Sequence, residues 1–224
     1  MKTTDHMAKR ILMSVLGVVI CGISVGMFKH AALGVDPFQS LMSGLDAVVP
    51  VRFGTLYVIA NAALLLFALV FDRHKIGLAT LINLLLLGYI AEYSQALTAK
   101  ALPDAGLPAR LILLAAAIVI MCLATALYFT ADLGVSPYDA ISLIWSEKQR
   151  RLPFFVCRVT TDLSCVLAGT ALCLLAGYSR GQVFGVVNIG TVVTAFFMGP
   201  LIEFFNVRLA RPFLYGHPKA GSSK

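Results

Sequence analysis

Leu133-Gly134-Val135-Ser136-Pro137-Tyr138 decides the reading of this chain, because Leu33-Gly34-Val35-Asp36-Pro37-Phe38 stands 100 positions before it. Each phrase closes a long apolar run. Glycine permits a backbone break, Asp36 or Ser136 suits a helix N-cap, and Pro37 or Pro137 suits the first helical position. Each phrase therefore predicts one helix ending and a short one beginning, over 37–48 and 137–147.

The apolar runs around these phrases set the class. Apolar residues make up 59% of 224 and charged ones 13%, where a soluble domain carries about a quarter charged residues. The composition reads as an all-α polytopic membrane protein. Six runs approach the ~20 residues that a bilayer crossing needs, at 11–32, 53–71, 76–97, 110–131, 154–177 and 183–206. The first lacks a clear cleavage site and reads as a retained helix. The short helices suit either the interface or a re-entrant position.

The net charge of +7 is no nucleic-acid signal, since the basic residues fall in short segments between apolar runs. Lys2, Lys9, Arg10, Arg73, Lys75, Lys148, Arg150, Arg151, Arg208, Arg211, Lys219 and Lys224 share one side of the predicted bundle. Lys29, Arg52, Lys100, Arg110 and Arg180 take the other. This asymmetry predicts both termini in the cytoplasm, with residues 207–224 as a loosely ordered tail.

The repeat extends beyond the opening phrase. Thr80, Gly88 and Glu92 recur as Thr191, Gly199 and Glu203, and Tyr57 and Asn61 occupy the places of Arg158 and Asp162. A unit of three spans crosses an odd number of times, so its second copy enters from the opposite side. The 224 residues read as one membrane domain, with repeat 1 about 11–97 and repeat 2 about 110–206. Inverted repeats of this kind are a secondary-transporter construction.

The LGVDPF and LGVSPY phrases, Arg158 with Asp162, and the closing G-T…G-P-x-x-E at 190–203 resemble the YczE-like bacterial membrane proteins, grouped with YitT and YyaS. The resemblance covers residues 11–206. It implies a multi-pass plasma-membrane protein and no defined activity.

Ionisable groups within a span are costly and ask for a role. Arg158 and Asp162, four apart, can pair on one helix face to handle solute or protons, or Arg158 can snorkel with Asp162 as its neutraliser. Glu92 and Glu203 are matched acids near helix ends. Lys29 or His30 would serve Glu92, and a loop arginine Glu203. Thr80, Asn83, Thr191 and Thr194 either bond neighbouring helices or line a cavity. With inversion, Asp36, Tyr57, Asn61 and Glu92 gather at the outer level beside Thr191. Ser136, Arg158, Asp162 and Glu203 gather at the cytoplasmic level beside Thr80. Gly134 and Pro137 set the second break, Pro37 the first, and the two helix N-termini suit an anionic group.

Cys21, Cys122, Cys157, Cys165 and Cys173 fall inside apolar runs, and the four histidines lack zinc spacing. No metal, no cofactor and no enzymatic motif is expected. The favoured function is a permease for a small polar or amphipathic solute, with Asp162 or Glu203 as the proton-coupling group. The other reading is a non-transporting membrane partner, such as the substrate-binding subunit of an importer or an assembly factor. The partners implied are the lipid bilayer, a small solute, and either a second copy or another membrane protein.

Overall fold

The paired phrases fold as paired breaks. The computed structural model describes residues 7–72, 76–148 and 154–215, and the regular structure among them is all helical. In chain order the helices are α1 (Met7–Ala31), α2 (Pro37–Val48), α3 (Phe53–Phe71), α4 (Leu78–Ala101), α5 (Leu107–Ala131), α6 (Pro137–Lys148) and α7 (Phe154–Leu175). They continue as α8 (Arg180–Val186), α9 (Ile189–Phe205), a π-helical turn (Asn206–Ala210) and α10 (Arg211–Tyr215). The basic positions at 2, 73, 75, 150, 151, 219 and 224 lie outside the described residues.

Five segments are long and apolar enough to cross a membrane: α1, α3, α5, Val156–Leu175 of α7, and the run Arg180–Tyr215. α4 is as long, but Asn83, Glu92, Ser94, Gln95 and Lys100 make it more polar and leave it outside that set. The chain is a multi-pass helical membrane protein.

Two expectations need correction. The run at 183–206 is not one helix, because the chain breaks between α8 and α9 at Val187 and Asn188. The first part of the tail is not loose either, since helix continues to Tyr215 and buries Ala210 and Leu214 against Met13 and Ala126.

α1 sits at the centre, packed against α4 and α5. Small residues permit the approach: a Cβ at Gly26 would lie 2.5 Å from Gln95 N. Hydroxyls bridge the same contacts, Ser24 Oγ to Ala117 O at 2.7 Å and Ser94 Oγ to Ile23 O at 2.8 Å. In an apolar surrounding, such close packing and side-chain bonding drive helix association.

The short helices go inside. α2 buries Pro37, Phe38, Gln39, Ser40 and Met42 and packs on α7 and α3. α6 buries Tyr138, Asp139, Ala140, Ser142 and Ile144 and packs on α3 and α7. Each short helix thus touches the second long helix of its own half and that of the other half.

The breaks are satisfied across the halves. Gly34 N and Val35 N donate to Gly185 O at 3.2 Å and Val186 O at 3.0 Å, while Gly190 N donates to Leu33 O at 2.9 Å. At the second break Ala79 N donates to Leu133 O at 2.9 Å, and Thr80 Oγ1 to Val135 O at 2.6 Å. Irregular backbone away from water needs such partners.

Candidate functional site

The capping chemistry read from the phrases is in place. Asp36 Oδ1 accepts from Gln39 N at 3.2 Å, and Ser136 Oγ accepts from Asp139 N at 3.0 Å. These caps, together with the prolines, use the very donors that an incoming anion would need. Ser40 N and Ala140 N are likewise bonded, to Asp36 O and Ser136 O. The chain's own groups thus take part of what an anion at the two helix N-termini would use.

Both helix starts open on one cavity of about 560 Å³, walled by parts of α1–α7 and α9. The two clusters expected at opposite levels share this single space. Asp36, Pro37 and Tyr57 line it from the first half, and Ser136, Arg158, Asp162 and Glu203 from the second. Asn61, Thr80, Glu92, Gly134, Pro137 and Thr191 are not on its wall.

Their contacts show where these others sit. Glu92 pairs with Arg52 at 3.2 Å rather than with Lys29 or His30. His30 instead contacts Leu102 O at 2.9 Å. Asn61 is fully buried and bonds back to Tyr57 O at 2.9 Å. Thr80 and Thr191 hold the breaks. A Cβ at Gly134 would lie 2.6 Å from Thr80 Oγ1, and one at Gly34 would lie 2.8 Å from Thr191 Oγ1. Pro137 is fully buried at the start of α6.

Arg158 and Asp162 do pair, Nε to Oδ1 at 3.3 Å, but the sequence reading missed the arginine's other partner. Asp139 Oδ1 takes Arg158 Nη1, and its Oδ2 accepts from Tyr128 Oη at 2.8 Å and Ser136 Oγ at 2.6 Å. Tyr138 Oη donates to Asp162 Oδ1. One guanidinium is thus clamped between two buried carboxylates that both carry further donors, which is what a buried charge requires. A simple snorkelling arginine does not describe it. Asp139 was legible: Ser136-Pro137-Tyr138-Asp139 is a capping-box sequence.

Glu203 is the outermost of the acids on the wall. It is largely exposed and lies 3.7 Å from Arg211, with Asn206 Nδ2 at 3.4 Å. The π-helical turn that begins at Asn206 also meets the cavity, and Thr130 Oγ1 donates to Asn206 Oδ1 at 3.0 Å. Such turns are frequent at functional sites.

The fold and site define a class: a multi-pass helical membrane protein with a charged internal cavity at the junction of two broken-helix elements. Residues 8–207 match the family described as Family of unknown function (DUF6198), and the chain belongs to it. It is similar to an uncharacterized protein of Haemophilus influenzae, 28% identical over 204 residues covering 91% of this chain and 86% of the relative. It is also similar to the uncharacterized protein YyaS of Bacillus subtilis, 24% identical over 200 residues, covering 89% and 93%. No solved structure matches the chain. The YyaS match agrees with the resemblance read from the paired phrases.

Proposed function

We propose that this protein is a small-molecule permease of the secondary-transporter type, located in the bacterial plasma membrane with both termini in the cytoplasm. The observation that carries this reading is the cavity itself. Its wall joins the starts of both broken helices, α2 and α6, with long helices of both halves. Broken helices meeting at a shared internal site are the device by which such transporters expose polar groups to a solute without exposing them to lipid.

In this reading α4 is the sixth span and the halves are inverted repeats. Four exchanges between halves support it: α2 packs on α7 as α6 does on α3, and each break binds the start of the other half's last long helix. Alternating access is then a rocking of one half against the other about the breaks. The Arg158 clamp between Asp139 and Asp162, on α6 and α7 of the second half, lines the cavity about which the halves would rock.

The test is uptake into vesicles reconstituted with the purified protein under an imposed pH gradient, with small solutes of each charge type offered. Accumulation that Asp162→Asn abolishes while exchange persists supports proton coupling through the clamp. Binding without passage unless a second protein is added replaces the permease by the binding-subunit reading. Orientation is checked separately with an impermeant maleimide on intact cells. A lone cysteine at Ala105 should label and one at Gln149 should not, and the reverse pattern overturns the cytoplasmic placement of the termini.

A further inference from the structure

The charges lining the cavity do not balance, and the imbalance has a sign. Among the described residues Arg158 is the one basic side chain on the wall, and it already faces both Asp139 and Asp162. Asp36 is a third acid on the same wall, with no ion-pair partner among the described residues. Its Oδ1 caps α2, and its Oδ2 is shielded from solvent and has no hydrogen-bond partner. One guanidinium against three carboxylates leaves a negative space when all are ionised. Glu203 adds nothing to the deficit, since Arg211 answers it at the exposed rim.

The neutral groups point the same way. Gln39 and Asn83, 2% and 3% exposed, line this cavity, each with a side-chain oxygen that lacks a partner. Buried polar atoms are seldom left so, and the Asp36 oxygen, once ionised, can only accept. The carboxylate keeps the inference independent of which way either amide is turned. The aromatic wall fits as well. Phe38 stacks on Tyr138 with ring centres 4.8 Å apart and meets Tyr57 edge-on at 5.6 Å. Arg158 already lies 4.8 Å over the Tyr138 ring, so this cluster accommodates one delocalised cation. Aromatic faces beside a carboxylate attract alkylated ammonium groups. A volume of about 560 Å³ suits a small organic solute.

We propose that the cavity binds an organic cation, a nitrogen cation on an apolar or aromatic body, with Asp36 as its counter-charge. Phe38, Tyr57 and Tyr138 form the wall against it, with Gln39 and Asn83 flanking it. Binding of the cation rests on the cavity alone, and its passage across the membrane rests on the permease reading.

Three probes of similar size test it by thermal shift on the purified protein: benzylammonium, benzyl alcohol and benzoate. A ligand selective for the folded state raises the melting temperature by mass action. The ammonium should do so, with the alcohol weak and benzoate inert. Asp36→Asn keeps a good N-cap and should weaken the ammonium at least roughly tenfold, the scale of one lost charge partner. A second measurement does not depend on that variant folding. With Cys122, Cys157, Cys165 and Cys173 replaced by alanine, Cys21 remains on the cavity wall. It should react faster with a cationic than with an anionic methanethiosulfonate. Benzoate as the best binder, three equal probes, or a cation preference at neither Cys21 nor the melting curve overturns the proposal. Ammonium binding that depends on Asp36 without passage into vesicles would sink the permease alone. Passage of an anion or neutral solute with no ammonium binding would sink the cation site alone.

Discussion

At Gly34 the chain turns with φ +100°, and at Gly134 with φ +101°. The residues two positions earlier, Ala32 and Asp132, stand at +49° and +52°. The backbone of the two breaks is nearly the same, yet they treat charge in opposite ways. Around the second, Ser136 caps, and Asp139 and Asp162 hold Arg158, so these charges answer one another. Around the first, the corresponding positions carry Asp36, Gln39, Tyr57 and Asn61, and among the described residues Asp36 Oδ2 has no partner. The same backbone break thus carries an ion-paired cluster in one half and an acid without an ion-pair partner among the described residues in the other. The geometry was duplicated, and the side chains divided the work.

The sharpest way to break this comparison is to remove the cation from the ion-paired side. Arg158→Ala strands two buried carboxylates and should cost about 3–5 kcal/mol, read from thermal unfolding of the purified protein. Adding Asp139→Asn and Asp162→Asn should recover part of the loss. Strict additivity would show that the three side chains do not act as one unit.

The shared backbone is tested next. Gly134→Ala forces a positive φ on alanine and drives a Cβ against Gly77 N and Thr80 Oγ1. It should cost at least about 2 kcal/mol. Gly177→Ala carries a similar φ of +81° with nothing within 4 Å of the new Cβ, so only the strain of about 1 kcal/mol should appear. Equal effects at the two sites would mean that contact with the other half contributes little.

The smallest expected effects compare the caps themselves. Ser136→Ala removes the cap of α6 and a donor to Asp139, and should cost about 1–2 kcal/mol. Asp36→Asn retains the cap and discards a charge that has no partner, so stability should stay within about 0.5 kcal/mol of the parent. A large loss at Asp36 would show that its carboxylate is structural, which removes the contrast between the halves.

The features legible in the sequence are those whose signals are local. A break built from glycine, a cap and proline is written in six adjacent residues, so both breaks and both short helices could be placed from residue types alone. The Arg158–Asp162 pair was legible because four residues make one helical turn. Asp139 was not assigned, although its capping box was adjacent, because α6 was read for its apolar side. The α8–α9 break stayed hidden inside an apolar run. Its irregular backbone is held by Leu33, Gly34 and Val35, about 150 positions away, and that partnership leaves no local trace in composition. The single cavity was also out of reach, since it depends on how closely the two helix starts converge.

The exchange of backbone bonds between the breaks also bears on how the protein is made. The amides of Gly34 and Val35 find their acceptors at Gly185 and Val186, and Leu33 O waits for Gly190 N. During synthesis, the first break must remain without these partners until more than four-fifths of the chain has emerged. The first half is then no free-standing unit. Supplied as two separate pieces cut between α4 and α5, the halves should accumulate together and be degraded apart.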